Sequence, residues 1–139
     1  MTNFERVAEL MGPPFLRLLG VEAVSIEEGR VVSRVAIREQ LHQQNGYVHA
    51  GVIGSVADHT AGAAAGTLLD EHHMPLTAEY KVNLLRPATG VALVCEATVL
   101  KAGRAITVAE SEVFAEDGQG GRKLVAKATV TLSIVPVRG

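Results

Sequence analysis

A single cysteine, Cys95, rules out an intramolecular disulfide and any Cys-x-x-Cys metal pair. It lies in an apolar, strand-like run, which reads as a buried structural thiol rather than a nucleophile. An excess of charge of one sign is lacking too. The formal net charge is -2 and no run of Lys and Arg occurs, which argues against a nucleic-acid partner held by a basic field. No apolar stretch is long enough to span a membrane. The opening MTNFERVAELMGPPF carries charges and Pro13-Pro14 where a signal peptide would place a basic stretch and an apolar run. These absences lead to the expectation of a soluble cytoplasmic protein with neither membrane nor nucleic acid as partner. What is present is a folded composition: 47% hydrophobic and 20% charged over 139 residues, read as one domain spanning 1–139.

The pattern along the chain predicts a short helix over Asn3 to Met11, with Phe4, Val7, Ala8 and Met11 at helical spacing and Gly12-Pro13-Pro14 as the stop. Phe15 to Ile26 is apolar and ends in the turn Glu27-Glu28-Gly29. Arg30 to Arg38 alternates, with Val31, Val35 and Ile37 opposite Arg30, Arg34 and Arg38, as a strand with one wet face does. Four more strands follow: Thr77 to Arg86, with Ala78, Tyr80, Val82 and Leu84 on one face; Val91 to Lys101; Ala105 to Ala115; and Leu124 to Ile134. Short turns make the last three an antiparallel meander. Only Val48 to Leu69 breaks the pattern. A single long helix against an antiparallel sheet is an α+β layer architecture, in which the helix covers the apolar face of the sheet.

That helix has an unusual face. Projected at about 100° per residue, Gly51, Gly54, Ser55, Ala61, Gly62 and Ala65 fall within roughly 60° of Asp58, with Val52, Ile53, Val56, Thr60, Ala63 and Ala64 opposite. Glycine inside a helix costs about 1 kcal/mol relative to alanine, so this face serves close approach, whether by another backbone, a second copy or a ligand. Asp58 lies amid apolar neighbours and requires a partner or a functional reason to be there. The helix start supplies free N–H groups and the positive end of the dipole, both suited to an oxyanion. Ala50 and Gly51 lie in that first turn, and Asn45 and His49 flank it. An amide, an N–H pair and a carboxylate about two turns away are the minimum for attack on an activated carbonyl.

Asn45-Gly46-Tyr47-Val48-His49-Ala50-Gly51-Val52-Ile53-Gly54-Ser55-Val56-Ala57-Asp58 resembles the N-G-x-x-H-G-G-x-x-x-x-L-A-D segment of PaaI-type hotdog thioesterases. Tyr80 to Pro87 is similar to that family's strand ending in F-L-R-P. The resemblance implies a hotdog fold, a long antiparallel sheet wrapped around a central helix. It also implies a homodimer that pairs into a homotetramer, with acyl-CoA sites at the dimer interface and no cofactor or metal. Carried over by position, Asp58 is the general base or nucleophile and Asn45 orients water or the carbonyl. The polarising N–H falls at Ala50 or Gly51, His49 is the motif histidine, and Thr77 helps place water. The chain departs from the motif at Ala50, where the family has glycine, and at Val56, where it has leucine.

Of the five histidines, His42, His49, His59, His72 and His73, none forms a common zinc pattern. His72-His73 is expected in an exposed loop. Arg86, Lys101, Arg104 and Lys123 are cations that either reach CoA phosphates or simply end strands in solvent. Tyr47 and Phe15 line an acyl pocket or belong to the core. The expected activity is hydrolysis of an aryl- or medium-chain acyl-CoA to free acid and CoA. The alternative is a hotdog protein that binds acyl-CoA without hydrolysing it. A hotdog dehydratase is a weaker third reading, since those enzymes pair a His with an acidic residue in another arrangement.

Overall fold

The computed structural model describes residues 2–138. Helix α1 (Asn3–Leu10) begins with a capping box in which the Thr2 hydroxyl accepts from the Glu5 N–H and the Glu5 carboxylate accepts from the Thr2 N–H. A second helix, α2 (Pro14–Leu19), follows at once. It starts with proline at its first position and ends on Gly20 at φ 85°, and it buries Leu16 and Leu19. The apolar run from Phe15 hid this helix, because six residues are too few for periodicity to register.

Strands β1 (Glu22–Glu27) and β2 (Arg30–Ala36) form a hairpin. After the 3-10 turn Glu39–Leu41 comes the central helix α3 (Ala50–Gly66), then β3 (His73–Leu84), β4 (Ala92–Ala102), β5 (Ile106–Glu116) and β6 (Arg122–Pro136). They make one antiparallel six-stranded sheet in the order β1-β2-β4-β5-β6-β3. The last three strands are the expected meander, and β3 pairs with β6 at the far edge. One face of this sheet packs along α3, the hotdog arrangement. His73 lies in β3 rather than in the loop, because its register partner Pro136 extends the ladder that far.

The inner face of the sheet is built from small side chains. On β5, Thr107, Ala109, Ser111, Val113 and Ala115 point inward and are buried, and α3 answers with Val56, Ala57, Ala61 and Ala64. Close packing carries polar straps with it. Ser111 donates to the Ala57 carbonyl at 2.7 Å, Thr60 donates to the Val56 carbonyl at 2.6 Å, and Ser33 and Thr60 share a 2.7 Å bond. All three side chains are fully buried, where an unpaired hydroxyl would cost about 1–3 kcal/mol. The outer face is wet and laced by ion pairs. Glu96 sits between Arg122 (2.9 Å) and Arg30 (3.5 Å), and Arg34 meets Glu116 at 3.1 Å.

Strand β3 does not alternate as its sequence suggests. A bulge between Thr77 and Glu79 shifts the phase, so Thr77, opposite Leu132, and Tyr80, opposite Val130, both face α3. Among the described residues the other edge of β3 carries no partner strand, and Tyr80 and Leu84 remain about half exposed on it. Among the described residues no helix is long and apolar enough to cross a membrane.

Cys95 is fully buried, and burial pushes its thiol up to about 11, against weaker opposing hydrogen bonds with Thr60 and Ser111. The folded chain should therefore resist a thiol-specific reagent at pH 8 and titrate one thiol only on unfolding. The unfolded state loses the proton first as pH rises. The stability held below pH 9 should thus fall between about 9 and 11 and flatten above, as read by urea midpoints across that range.

Candidate active site

The segment before α3 is tied down on both sides. His49 N–H donates to the Leu41 carbonyl (2.8 Å) and Val48 N–H to the Ala88 carbonyl (3.0 Å). Between them Gln43 and Tyr47 close a tight loop, with Gly46 at φ 83° supplying a conformation that other residues resist. His49 is the N-cap. Its Nδ1 accepts from the Gly51 N–H at 2.8 Å, so the neutral ring carries its proton on Nε2. A Cβ on residue 51 would lie 3.0 Å from that nitrogen, which is why glycine suits the position.

This cap sorts the N–H groups of the first turn. Gly51 is spent on His49 Nδ1, and Val52 and Ile53 donate to the His49 carbonyl. Ala50 N–H alone in that turn has no partner among the described residues. Ala50 lines a cleft of about 490 Å³ together with Gln43, Tyr47, His49, Ile53, Leu84 and Arg86. With the helix dipole behind it, Ala50 N–H can meet a carbonyl oxygen that gains negative charge.

Asn45 is not in the wall of this cleft. It is exposed on the tip of the loop, and its backbone N–H donates to Gln43 Oε1. The amide facing the cleft is Gln43, which sequence reasoning missed. The signal was a run of amides, Gln43, Gln44 and Asn45, before Gly46, and only the loop geometry tells which of them lines the cleft.

Asp58 lies two turns further along α3, half buried, and its Oδ1 accepts a 2.7 Å hydrogen bond from Thr77. The β3 bulge makes that bond possible. Asp58 Oδ2 has no protein partner among the described residues. Beside the pair is a small cavity of about 80 Å³ bounded by His59, Gly62 and Leu132. His59 Nε2 donates to the Leu10 carbonyl, pinning the end of α1 over this cavity. The small-residue face is narrower than the projection suggests. Gly54 is buried beneath the Tyr80 ring, and Ala61 and Ala65 are buried, so the uncovered stripe is Gly51, Ser55, Asp58 and Gly62.

The structure thus forms two groups, His49, Ala50 and Gly51 at the helix start and Asp58 with Thr77 beyond it. Eight residues at 1.5 Å each separate Ala50 from Asp58 by about 12 Å along a rigid helix. Phe15 is exposed on α2 and lines neither group. His73 pairs with Asp70 at 2.8 Å.

Comparison with known proteins adds to this geometry. The family model of the Thioesterase superfamily matches residues 45–122. A Saccharolobus solfataricus protein named as an esterase is 33% identical over 78% of this chain and 77% of its own length. A 1,4-dihydroxy-2-naphthoyl-CoA hydrolase of Listeria monocytogenes is 26% identical over 84% of this chain and 91% of its own. Among solved structures, a thioesterase family protein from Silicibacter pomeroyi superposes with a TM-score of 0.94 at 33% identity, covering 98% of this chain and all of that one.

Replacing the cap tests its weight. His49→Ala should lower stability by about 1 kcal/mol, seen as a lower urea midpoint at unchanged slope. His49→Asn, which caps as well, should restore most of it.

Proposed function

The chain belongs to the Thioesterase superfamily, is a thioester hydrolase, and from that premise we propose how its residues divide the work. The substrate is an aryl- or medium-chain acyl-CoA, in line with the cleft walled by Tyr47, Ile53 and Leu84 and with the likeness to a naphthoyl-CoA hydrolase. The thioester carbonyl accepts the Ala50 N–H, and Gln43 orients the carbonyl or the attacking water. His49 acts at one remove, holding Gly51 so that Ala50 N–H stays free. Asp58 supplies the carboxylate, as general base on water or as nucleophile through an anhydride. Thr77 holds Oδ1 and leaves Oδ2 for the reaction. Residues 1–139 act as one PaaI-type domain in the cytoplasm.

The single observation that carries this reading is the separation of Ala50 N–H from Asp58. The Ala50 N–H would hold the carbonyl oxygen at about 3 Å, and the carboxylate must stand within one water of the carbonyl carbon, a reach shorter than about 12 Å along one helix. A twofold axis solves it: two antiparallel copies of α3 set Ala50 of one chain beside Asp58 of the other. The uncovered stripe Gly51, Ser55, Asp58 and Gly62 is the surface for such an approach, and the free edge of β3 can continue the sheet into the second copy. The homodimer is the minimal active unit. Pairing into a homotetramer, which the family resemblance implies, adds nothing to this chemistry.

A thiol-release assay over aryl- and acyl-CoAs tests the assignment. Asp58→Asn should lower kcat by about 10²–10⁴-fold with substrate still bound. A wild type that binds acyl-CoA but releases no thiol would instead favour the binding protein. Gln43→Ala should cost more activity than Asn45→Ala, and the reverse order would return the amide role to Asn45.

The shared site has its own test. Proline is tolerated at the first helical position, where it removes only the N–H, and the extended φ -62°, ψ 137° of His49 suits a following proline. Ala50→Pro should therefore fold and lose about 10²–10³ in kcat. Mixed subunits of Ala50→Pro and Asp58→Asn should regain activity, because one of the two sites in a heterodimer is then intact. Sites within one chain would stay silent.

A further inference from the structure

The small cavity beside Asp58 runs between α3 and β3, following α3 forward from Asp58 and β3 backward from Thr77. Asp58 and Thr77 bond to each other at one end. Gly62 and Ala63 come next on α3 and Pro75 on β3, with Leu132 as the wall on the sheet. About two turns beyond Asp58 the space closes. A Cβ on Gly66 would lie 2.8 Å from Leu10 Cδ1 and 4.0 Å from Pro75 Cγ, so α1 and β3 meet over that glycine.

That closed end belongs to α1. A helix of eight residues does not hold itself in place, and α1 is tied to α3 and the turn after it. His59 Nε2 donates to the Leu10 carbonyl and Arg6 to the Leu69 carbonyl, while Val7 and Met11 are buried beneath the helix. A carbonyl only accepts, so the neutral His59 ring keeps its proton on Nε2, and that polar tip is spent on the backbone. Beyond the Asp58–Thr77 pair the remaining lining, Leu10, Gly62, Ala63, Pro75 and Leu132, is apolar. Such a slot takes hydrocarbon and penalises a polar group that finds no partner there.

We infer that α1 measures the acyl group: its last residue, Leu10, is the end stop for the acyl chain, and His59 is the positioning residue that sets where the stop stands. The inference rests on the thioesterase reading. With the thioester between Ala50 of one chain and Asp58 of the other, an acyl chain that continues past Asp58 enters this cavity over Gly62 and ends against Leu10. Gly62 provides the width, because it has no side chain to fill the slot. Selection is then by length, and a methylene beyond the stop costs about tenfold or more in kcat/KM.

Straight-chain acyl-CoAs from butanoyl to palmitoyl test it, read as the ratio of kcat/KM for a long chain to that for a short one, with circular dichroism to check each variant's fold. Leu10 is only half buried, so Leu10→Ala should fold, and it should raise the ratio about tenfold or more. Gly62→Ala should lower it, since a Cβ there would lie 3.6 Å from Leu132 Cδ2, an ordinary contact that narrows the slot without breaking the fold. His59→Ala should act as Leu10→Ala does. His59→Gln, whose amide N–H can reach the same carbonyl, should bring the ratio back toward wild type. A general loosening of the fold would lower activity at every length and leave the ratio alone. An unchanged ratio in Leu10→Ala or His59→Ala, or a ratio that does not fall in Gly62→Ala, overturns the inference and leaves the thioesterase reading standing. If wild type releases no thiol, that reading falls alone, and Kd for the same acyl-CoAs by isothermal titration takes the place of the rates. Opposite shifts in Leu10→Ala and Gly62→Ala then support the end stop, and the same length dependence in all proteins, or no binding by wild type, overturns it.

Discussion

The close approach of α3 to the sheet governs everything else in this molecule. A helix made largely of alanine and glycine has little side-chain area of its own to bury, so it gains stability by lying near a surface that is equally low. The inner positions of β5 provide that surface, and at the points of contact Ser111 of β5 bonds to the Ala57 carbonyl and Ser33 of β2 to the Thr60 hydroxyl. Those bonds fix the helix against rotation as well as translation. Asp58 follows Ala57 directly, so its direction is set by what holds the turn before it.

A helix held this firmly cannot bend its two ends toward one substrate. The N–H left free by the His49 cap and the carboxylate held by Thr77 remain apart, and in the mechanism we propose each is half of a catalytic group. The uncovered stripe on α3 and the open edge of β3 are the surfaces through which the proposed second copy would complete them. In the mechanism we propose, catalysis and association are one physical requirement, since the surface that exposes the half-sites is the one a second copy would cover. At the helix start the same economy recurs, as the cap spends one N–H to leave its neighbour available.

Much of the fold was legible because it rests on local periodicity. The strand from Arg30, the meander from Val91 to Ile134 and the helix before it all carry their pattern in consecutive residues. The apolar run from Phe15 concealed α2, which is too short to show a period. The clean alternation from Thr77 also misled, because a bulge adds a residue without altering composition, and it turned Thr77 toward Asp58. The amide at the helix start shows the same limit. Gln43 and Asn45 both precede Gly46, and by chemistry along the chain the two amides stand on an equal, symmetric footing. The backbone bond from Asn45 to Gln43 and the positive φ of Gly46 break that symmetry.

What the chain determines alone is the inventory and its order: a small-faced helix bearing one carboxylate, an exposed helix start with a histidine before it, and strands that must cover the helix. These follow from side-chain size, charge and period, all local properties. Tertiary structure decides which N–H is free, which amide faces the cleft, that Arg86 and Lys123 share a groove while Lys101 does not, and that Leu10 lines the cavity beside Asp58. Such facts depend on contacts between residues far apart in sequence, whose distances no single segment encodes.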